Sequence, residues 1–296
     1  MLRRVVGAML VATATHSSAQ VLPSLEELMT AQHRWRVDTG FAYFNQQSSG
    51  AVATGPIYVQ VGPQFVPIAT GILPRNRNID SIIGYVGMRY GYSADTELSF
   101  SAAGSYTNER TLLEGRSVSS ENSWKYSTLS LTASHRLLRE DDHPGLLAIF
   151  EAGAIQRGEH EAAYFKSYTL GSTIYRTIDP LVLSLSASYR LNLKRSDGGM
   201  ATRPGNLLAI NPQIGFAVNE SVTMLGGFLW QAQQGGSIFG RCCTQRSTRT
   251  SLVLGLGYRA SPRTSLSLST SSNVSGGGGV QVSLGAVIKL GATFPG

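Results

Sequence analysis

The chain has 296 residues, of which 42% are hydrophobic, and a formal charge of +7 at pH 7. That length fits one or two soluble domains or a single barrel, and no run reaches the roughly 18 consecutive apolar residues of a membrane-spanning helix. Composition therefore excludes a helical membrane protein but not a membrane barrel, because only every second residue of a spanning strand faces lipid.

The N-terminus has the three parts of a secretory signal peptide, predicted over residues 1–19. Arg3 and Arg4 form a charged start, Val5–Ala14 is a short apolar core, and Ser17–Ala19 supplies small residues for cleavage. A membrane anchor is the alternative, but it needs a longer apolar run. The sequence thus predicts export and cleavage after residue 19.

The segment at residues 20–32 precedes the first strand and is expected on the periplasmic side. Ser24 and Glu27 have the Ser-x-x-Glu spacing of a helix capping box. This spacing predicts a short helix over Pro23–Met29, at a position where it would plug the pore.

About twelve segments between Arg34 and Leu290 alternate apolar with small polar residues, most cleanly over Leu181–Lys194. A period of two predicts strands with one apolar and one polar face. The predicted fold is all-β: a single-domain transmembrane antiparallel up-and-down β-barrel of about 12 strands over residues 33–290, with a C-terminal tail at 291–296. Strands five, six and nine alternate weakly, which leaves open a soluble sandwich or a barrel of about eight to ten strands.

Short turns and long polar loops are expected to alternate along the chain. Gly91–Asp95 and Glu140–Gly145 are predicted as tight turns, whereas Thr107–Ser123 is predicted as a long loop. The glycine run Gly276–Gly279 is predicted in another long outer connection. Because outer-membrane barrels have short periplasmic turns and long outer loops, an even strand count places both termini in the periplasm.

The first outer loop, predicted over Asn45–Asn78, is long and unusually apolar. Ile57–Val61 and Phe65–Ile68 are poorly suited to a solvated loop. Long loops of this kind are usually functional or disordered. Three alternatives are open: the loop folds into the barrel, it mediates contacts, or it packs on the outer surface.

Parity assigns side chains to lipid or to the lumen. The residues predicted to face lipid are Leu98, Phe100, Leu183, Leu185, Leu252, Leu254, Val282 and Leu284. The residues predicted to line the lumen are Arg36, Arg89, Glu97, Arg136, Glu151, Ser186, Arg190, Lys194, Arg259 and Lys289. Positive side chains outnumber negative ones, which favours anions in a pore. The alternative is internal pairing, for example of Glu97 with Arg89 or Arg136, which would rigidify the lumen.

Other chemistry-bearing residues give weaker signals. Lipopolysaccharide phosphates are the natural partner of outer-loop arginines, although solvated loop charge explains these residues equally well. The arginines concerned are Arg75, Arg77, Arg110, Arg116, Arg203, Arg241, Arg246 and Arg249. No nucleic acid is expected as a partner of an exported barrel. The adjacent Cys242 and Cys243 do not make a zinc site, so no metal or other cofactor is expected. A lipase would need a serine nucleophile near a histidine such as His135, and no such motif is present. Glu159–Glu161, with His160, is expected in an outer loop, where solvated charge explains it better than a protease site.

Several segments resemble a known family. The stretches Arg89–Leu98, Thr177–Leu183, Ser188–Asn192 and Gly255–Thr264 resemble outer-membrane barrels named after transporters of the phenol meta-cleavage pathway. Within that set the layout is similar to the pore of the Fap functional-amyloid export system. The resemblance implies a twelve-stranded barrel plugged by an N-terminal helix within Leu25–Trp35.

The last strand also resembles the signal read by the barrel-assembly machinery. Ser283, Gly285, Ile288 and Leu290 follow its polar, glycine, hydrophobic, hydrophobic order. The expected partners are therefore this machinery and outer-membrane lipid with lipopolysaccharide.

Together these patterns predict a non-enzymatic channel of the outer membrane. A small solute or an exported polypeptide would pass through its polar, net-basic lumen. The alternatives are a structural or adhesive surface barrel with a closed lumen and, third, an outer-membrane hydrolase. No catalytic residue is predicted.

Overall fold

A computed structural model describes residues 29–48, 57–61, 64–68, 76–113, 116–157, 161–197, 199–238, 241–242 and 246–290. Twelve strands in these ranges form a barrel: β1 (Trp35–Ser48), β4 (Asn76–Gly91), β5 (Thr96–Leu113), β6 (Arg116–Leu138), β7 (Gly145–Arg157), β8 (Ala162–Ile178), β9 (Leu181–Asn192), β12 (Leu207–Ala217), β13 (Val222–Gln233), β16 (Ser247–Ser261), β17 (Thr264–Ser275) and β18 (Gly278–Leu290). Six shorter strands are β2 (Ile57–Val61), β3 (Gln64–Ile68), β10 (Arg195–Asp197), β11 (Met200–Arg203), β14 (Ser237–Ile238) and β15 (Arg241–Cys242). Within the described ranges, no helix is long and apolar enough to cross a membrane.

The twelve barrel strands close into one antiparallel sheet in chain order. β18 pairs with β1 to complete the ring, with Trp35 opposite Leu290 and Gln47 opposite Gly278. Closure removes free strand edges and pairs backbone groups that lipid cannot satisfy. The predicted up-and-down barrel of twelve strands is confirmed.

The two faces of the wall differ in polarity. On β9, Leu183 and Leu185 are 38% and 45% exposed, whereas Ser184 and Ser186 lie on the opposite, more buried face. Each of the twelve strands contributes large apolar side chains to this exposed outer belt. An apolar exterior is the arrangement that a surrounding hydrocarbon layer stabilises.

Two hairpins depart from the predicted alternation of loop lengths. β5 and β6 remain paired out to Leu113 and Arg116, so most of the loop predicted at Thr107–Ser123 is strand. That prediction was wrong because it required an apolar face for a strand. Beyond the membrane, a hairpin can continue its backbone hydrogen bonds without one. At the β17–β18 hairpin, Gly276 and Gly277 have φ of 81° and 102° and form a two-residue turn in place of a long loop.

The two ends of the barrel carry different connections. At the end where β1 begins and β18 ends, strands are joined by the short segments 92–95, 139–144, 179–180, 218–221 and 262–263. At the other end, the β9–β12 and β13–β16 connections contribute to a four-stranded sheet in the order β10-β11-β14-β15. We name these the periplasmic end and the outer end, respectively, after the sides on which short turns and long loops are expected from the sequence.

Candidate functional site in the barrel lumen

The β2–β3 hairpin, from the first outer loop, lies inside the barrel. Val59, Val61 and Val66 on this hairpin are 2%, 1% and 2% exposed. They belong to one buried cluster with inward-facing side chains of β1, β4 and β5, namely Ala42, Phe44, Ile79, Ile83, Tyr85 and Ala103. Of the three alternatives for this loop, the structure therefore shows inward folding.

Polar contacts from β9 fix the hairpin in place. Arg190 Nη1 donates to the carbonyl oxygen of Phe65 at 3.4 Å, and its guanidinium carbon lies 5.6 Å from the ring centroid of Tyr58. Asn192 Nδ2 donates to the Tyr58 hydroxyl at 3.0 Å. These contacts join both hairpin strands to the same wall strand.

A buried ion pair supports the Arg190 contact. Arg190 Nη1 lies 3.3 Å from Glu151 Oε1, and Arg190 Nη2 donates to Ser167 Oγ at 2.9 Å. Removing one partner of such a pair leaves an uncompensated buried charge, which costs about 3–5 kcal/mol. The pair therefore couples β7, β8 and β9 to the seated hairpin.

A second charged cluster lies in the lumen between the hairpin and the periplasmic end. Asp38 accepts hydrogen bonds from Arg36 Nε at 3.1 Å and from Arg89 Nε, and Arg89 Nη1 lies 3.5 Å from Glu97 Oε1. These four side chains carry two positive and two negative charges, which compensate one another. Glu97 thus pairs with Arg89, as the internal-pairing alternative predicts.

The segment before β1 folds across the periplasmic mouth of the barrel. Met29 is buried against inward-facing side chains of β7 and β8. Thr30 donates its backbone N–H to Glu97 Oε2 at 2.6 Å, and His33 donates its backbone N–H to the Gly91 carbonyl at 2.7 Å. Apart from Met29, the helix predicted upstream lies outside the described residues.

A cavity of about 340 Å³ separates the hairpin from the opposite wall. Gln281 on β18 spans one side of it, donating from Nε2 to the Gln60 carbonyl at 2.6 Å and to Ser283 Oγ at 2.8 Å. Ligand pockets usually measure about 300–1,000 Å³, so this cavity has the volume of a small-molecule site. Its lining combines hydroxyl groups, apolar groups and the charged cluster: Ser267, Ser269, Ser271, Ser283, Val61, Leu225, Leu229, Val253, Arg36, Asp38 and Arg89.

Arg136, predicted to line the lumen, lies near the periplasmic turns. Its Nη1 atom is 3.7 Å from Asp95 Oδ1, while Arg139 binds the same carboxylate with two nitrogen atoms at 3.0 and 2.8 Å. These Arg139 hydrogen bonds, aided by its positive charge, hold the pKa of Asp95 below its ordinary value. Arg136 therefore belongs to a network that braces the periplasmic turns.

The remaining predicted lining residues occupy three positions. Ser186 lies on the inward face of β9, with its Oγ 2.9 Å from Thr173 Oγ1. Arg259 and Lys289 lie at the periplasmic end, where their backbone N–H groups donate to turn residues. Lys194 lies beyond the end of β9 and is exposed. Because it is not part of the strand, the alternation of faces does not predict the direction of its side chain.

The polar lumen residues that were not predicted as lining include Arg249, Gln231 and Asn273. Arg249 was predicted in an outer loop, but it lies within β16 opposite Gln231 of β13. Asn273 of β17 lies opposite Ser251. Extending the β16 alternation outward from Ser251 would have placed Arg249 on the inner face, so the loop assignment was wrong because the strand was ended too early.

Other chemical centres receive no support within the described ranges. Those residues contain no group of three His, Cys, Asp or Glu side chains that could hold a metal ion. His135 faces outward, with Nδ1 3.0 Å from Thr96 Oγ1. His160 and Cys243 lie outside the described residues, and Cys242 is placed in β15.

Comparison with known proteins identifies a fold rather than a family. The sequence matches no protein-family model and no curated protein. The structure resembles the COG4313 outer membrane channel from Pseudomonas putida F1, with a TM-score of 0.65 and 10% identity over 88% of this chain and 97% of that one. The fold is that of an outer-membrane β-barrel.

Two translocator barrels are also similar. The translocator domain of the autotransporter NalP from Neisseria meningitidis gives a TM-score of 0.51 at 11% identity, covering 87% of this chain and 88% of that one. The β domain of the Bordetella autotransporter BrkA gives 0.50 at 10% identity, covering 88% and 100%. At such identities the likeness establishes the fold alone, and the resemblance to the Fap pore stays a prediction.

Proposed function

We propose that this chain is an outer-membrane channel for a small solute, which moves along the inner face of β16–β18. The observation that carries the proposal is the cavity of about 340 Å³ beside the seated hairpin. On one side of the lumen the hairpin packs against apolar side chains of β1, β4 and β5, whereas β16–β18 border the cavity with hydroxyl, amide and apolar groups. A polar passage beside a packed plug suits solute permeation better than mechanical support.

A small solute fits this lumen better than an exported polypeptide. A polypeptide would first have to displace the β2–β3 hairpin from Arg190, Asn192 and Gln281. A solute smaller than the cavity needs no such displacement. The fold is similar to that of an outer-membrane channel, which is compatible with this function. The proposal itself rests on the cavity.

The location and partners form part of the same proposal. The exposed apolar belt supports contact with outer-membrane lipid, and lipopolysaccharide would surround the outer end. Residues 1–19 would direct export, and the last strand would be read by the barrel-assembly machinery. These assignments rest on the sequence patterns and on the fold.

A structural barrel with a closed lumen is the second candidate, and one observation favours it. The hairpin narrows the lumen from the outer side, while Met29 and Thr30 pack across the periplasmic mouth. For the channel to conduct, a continuous passage would have to remain open beside both the hairpin and the Met29–Thr30 segment.

Planar-bilayer recordings distinguish the two candidates. We expect ion conductance from the mature chain, and a larger conductance after deletion of Gln20–Gln32, because the deletion removes the Thr30–Glu97 contact and Met29. A heat-modifiable band on a gel verifies that both proteins are folded barrels. Folded barrels that conduct in neither form would exclude the channel and favour the closed structural barrel.

A further inference from the structure

Three hydrogen-bond donors converge at the outer end of the lumen cavity. Gln231 and Arg249 are direct cross-strand neighbours on β13 and β16. Asn273 on β17 lies opposite Ser251, which is two residues along β16 from Arg249. We call Arg249, Gln231 and Asn273 the donor cluster. Together they line a small pocket of about 20 Å³, which adjoins the main cavity and shares Gln60, Leu229, Ser271 and Gln281 with it.

Two side-chain amide groups of the donor cluster are not used as hydrogen-bond donors to any described residue. Asn273 Oδ1 already accepts from Ser251 Oγ at 2.7 Å, and Arg249 Nη2 donates to the neutral Gln46 amide at 3.2 Å. Within the described part of the chain, the buried Gln231 Nε2 and Asn273 Nδ2 atoms have no hydrogen-bond partner. Gln231 is only 7% exposed, and buried polar groups are normally paired, so these amides indicate a missing acceptor.

The chemistry of that acceptor follows from Arg249. A guanidinium presents a planar fork of N–H donors that matches a carboxylate with two parallel hydrogen bonds. The hydrogen bond from Arg249 to Gln46 supplies no negative charge. An anionic group with several acceptor positions therefore complements the donor cluster better than a hydroxyl or an amide.

The shape of the space limits the rest of the ligand. The small pocket of about 20 Å³ has room for one carboxylate oxygen, which is about the size of a water molecule. A larger ligand must place its body in the adjoining cavity, between the serines of β17 and the apolar side chains Leu225, Leu229 and Val253. This arrangement suits an acidic head joined to a small organic body.

We propose that the donor cluster binds the carboxylate of a small organic anion, whose body lies in the main cavity. The inference rests on the proposed channel function and names the solute class. It assigns Arg249 a role in specificity, with Gln231 and Asn273 orienting the same carboxylate.

Calorimetric titration of the full mature chain in detergent micelles tests the site without requiring transport. Gluconate and hexanoate serve as probes, since both carry a carboxylate and only gluconate carries hydroxyl groups. We expect saturable binding of at least one of them, weakened about tenfold or more by Arg249→Gln, as loss of a charge-assisted hydrogen bond implies. Arg249→Lys keeps the charge but loses the fork, and should have an intermediate effect.

Two further variants make the result specific. Gln231→Leu removes one donor with little change in volume, so it should weaken binding even if Arg249→Gln fails to fold. Arg139→Gln is the control, because Arg139 contacts Asp95 in a periplasmic turn. It should leave binding unchanged. The two probes also report which side of the cavity holds the organic body of the ligand. Contact with the serines of β17 should favour gluconate, and contact with Leu225 and Leu229 should favour hexanoate.

Liposome swelling separates the failure of this inference from failure of the channel. Carboxylate binding that depends on Arg249, without any solute flux, would support the site and reject the channel. Equal entry of gluconate and neutral sorbitol, both insensitive to Arg249→Gln, would support the channel and overturn the site. Failure of both probes to bind the folded wild-type chain would also overturn it.

Discussion

The walls formed by β4–β9 and by β16–β18 belong to one sheet but present different inner surfaces. Ile83, Ser105 and Ser167 in the first wall are fully buried at 0% exposure. Ser267 and Ser269 in the second wall border the open cavity. The first wall packs against the hairpin or supports its anchoring residues, whereas the second borders the cavity through which we propose that solute passes. A barrel can therefore narrow its pore by filling one side of the lumen.

The β5–β6 hairpin of the first wall is longer than the β17–β18 hairpin of the second, although β7 and β9 of the first wall contain only 13 and 12 residues. β5 and β6 contain 18 and 23 residues, whereas β17 and β18 contain 12 and 13. The longer strands project at the outer end, on the side whose inner face packs against the hairpin. The shorter ones end in the Gly276–Gly277 turn. We call β4–β9 the plug wall and β16–β18 the passage wall.

The largest expected effect comes from breaking the buried ion pair of the plug wall. Arg190→Leu leaves Glu151 buried without its partner, which should reduce the free energy of unfolding by about 3–5 kcal/mol. Urea unfolding of the folded barrel in micelles measures this. Ser269→Ala on the passage wall is the control and should change stability far less. Equal losses from the two variants would remove the distinction between the walls.

Lipid-facing and lumen-facing neighbours on one strand should respond differently to charge. An arginine on the lipid face near the midplane costs about 2–4 kcal/mol, so Leu185→Arg should impair folding or assembly. Ser186→Arg should still assemble and shift ion selectivity, because its side chain lies on the inner face. Assembly yield and bilayer recordings test the pair. Greater impairment by Ser186→Arg would contradict the assignment of the faces.

A single bulky substitution should distinguish the two inner surfaces. Ser105→Trp overpacks a buried position and should destabilise the barrel by about 1–3 kcal/mol. Ser269→Trp places the same ring in the cavity, so conductance should fall while stability changes little. The two measurements are urea unfolding and single-channel conductance. A stable Ser105→Trp barrel with reduced conductance would place the passage along β4–β9, which would contradict its assignment to β16–β18.

The smallest expected effect concerns the periplasmic turns, which lie outside both inner surfaces. Arg139 lowers the pKa of Asp95, so their contact stabilises the folded state fully above the unfolded-state pKa of about 3.9. That contribution is lost as the pH falls through the lower, folded-state pKa. Asp95→Asn should therefore be slightly destabilising at pH 7 and nearly neutral in strong acid. Unfolding midpoints that differ equally at both pH values would contradict this pairing.

Period-two alternation predicted the two faces of each strand, and together with the short turns and long loops it predicted the closed barrel. Leu183, Leu185 and Leu254 are exposed on the outside because a strand repeats every two residues whatever its partners are. The same reasoning could not choose the partner of Glu97. Arg89 and Arg136 are both diagonal neighbours of that carboxylate in the sheet, and parity does not report register or side-chain geometry.

The donor cluster and the seated hairpin were harder to predict. Gln231 and Arg249 meet only because two strands pair in one register, and nothing in either strand alone indicates this. The apolar stretches Ile57–Val61 and Phe65–Ile68 indicated that the first loop was poorly suited to solvent, but not where it packs. Their inward packing depends on the unfilled space of a wide barrel, which is a property of the closed sheet rather than of the loop sequence.

Replacing the hairpin, residues 57–68, with a glycine-serine linker tests the central claim most directly. We predict that single-channel conductance rises severalfold, because the hairpin fills the lumen beside the plug wall. A heat-modifiable band and an unchanged strand content verify that the barrel has formed. A folded barrel with the same conductance as the wild-type chain would show that the hairpin does not limit the passage, which would contradict the account.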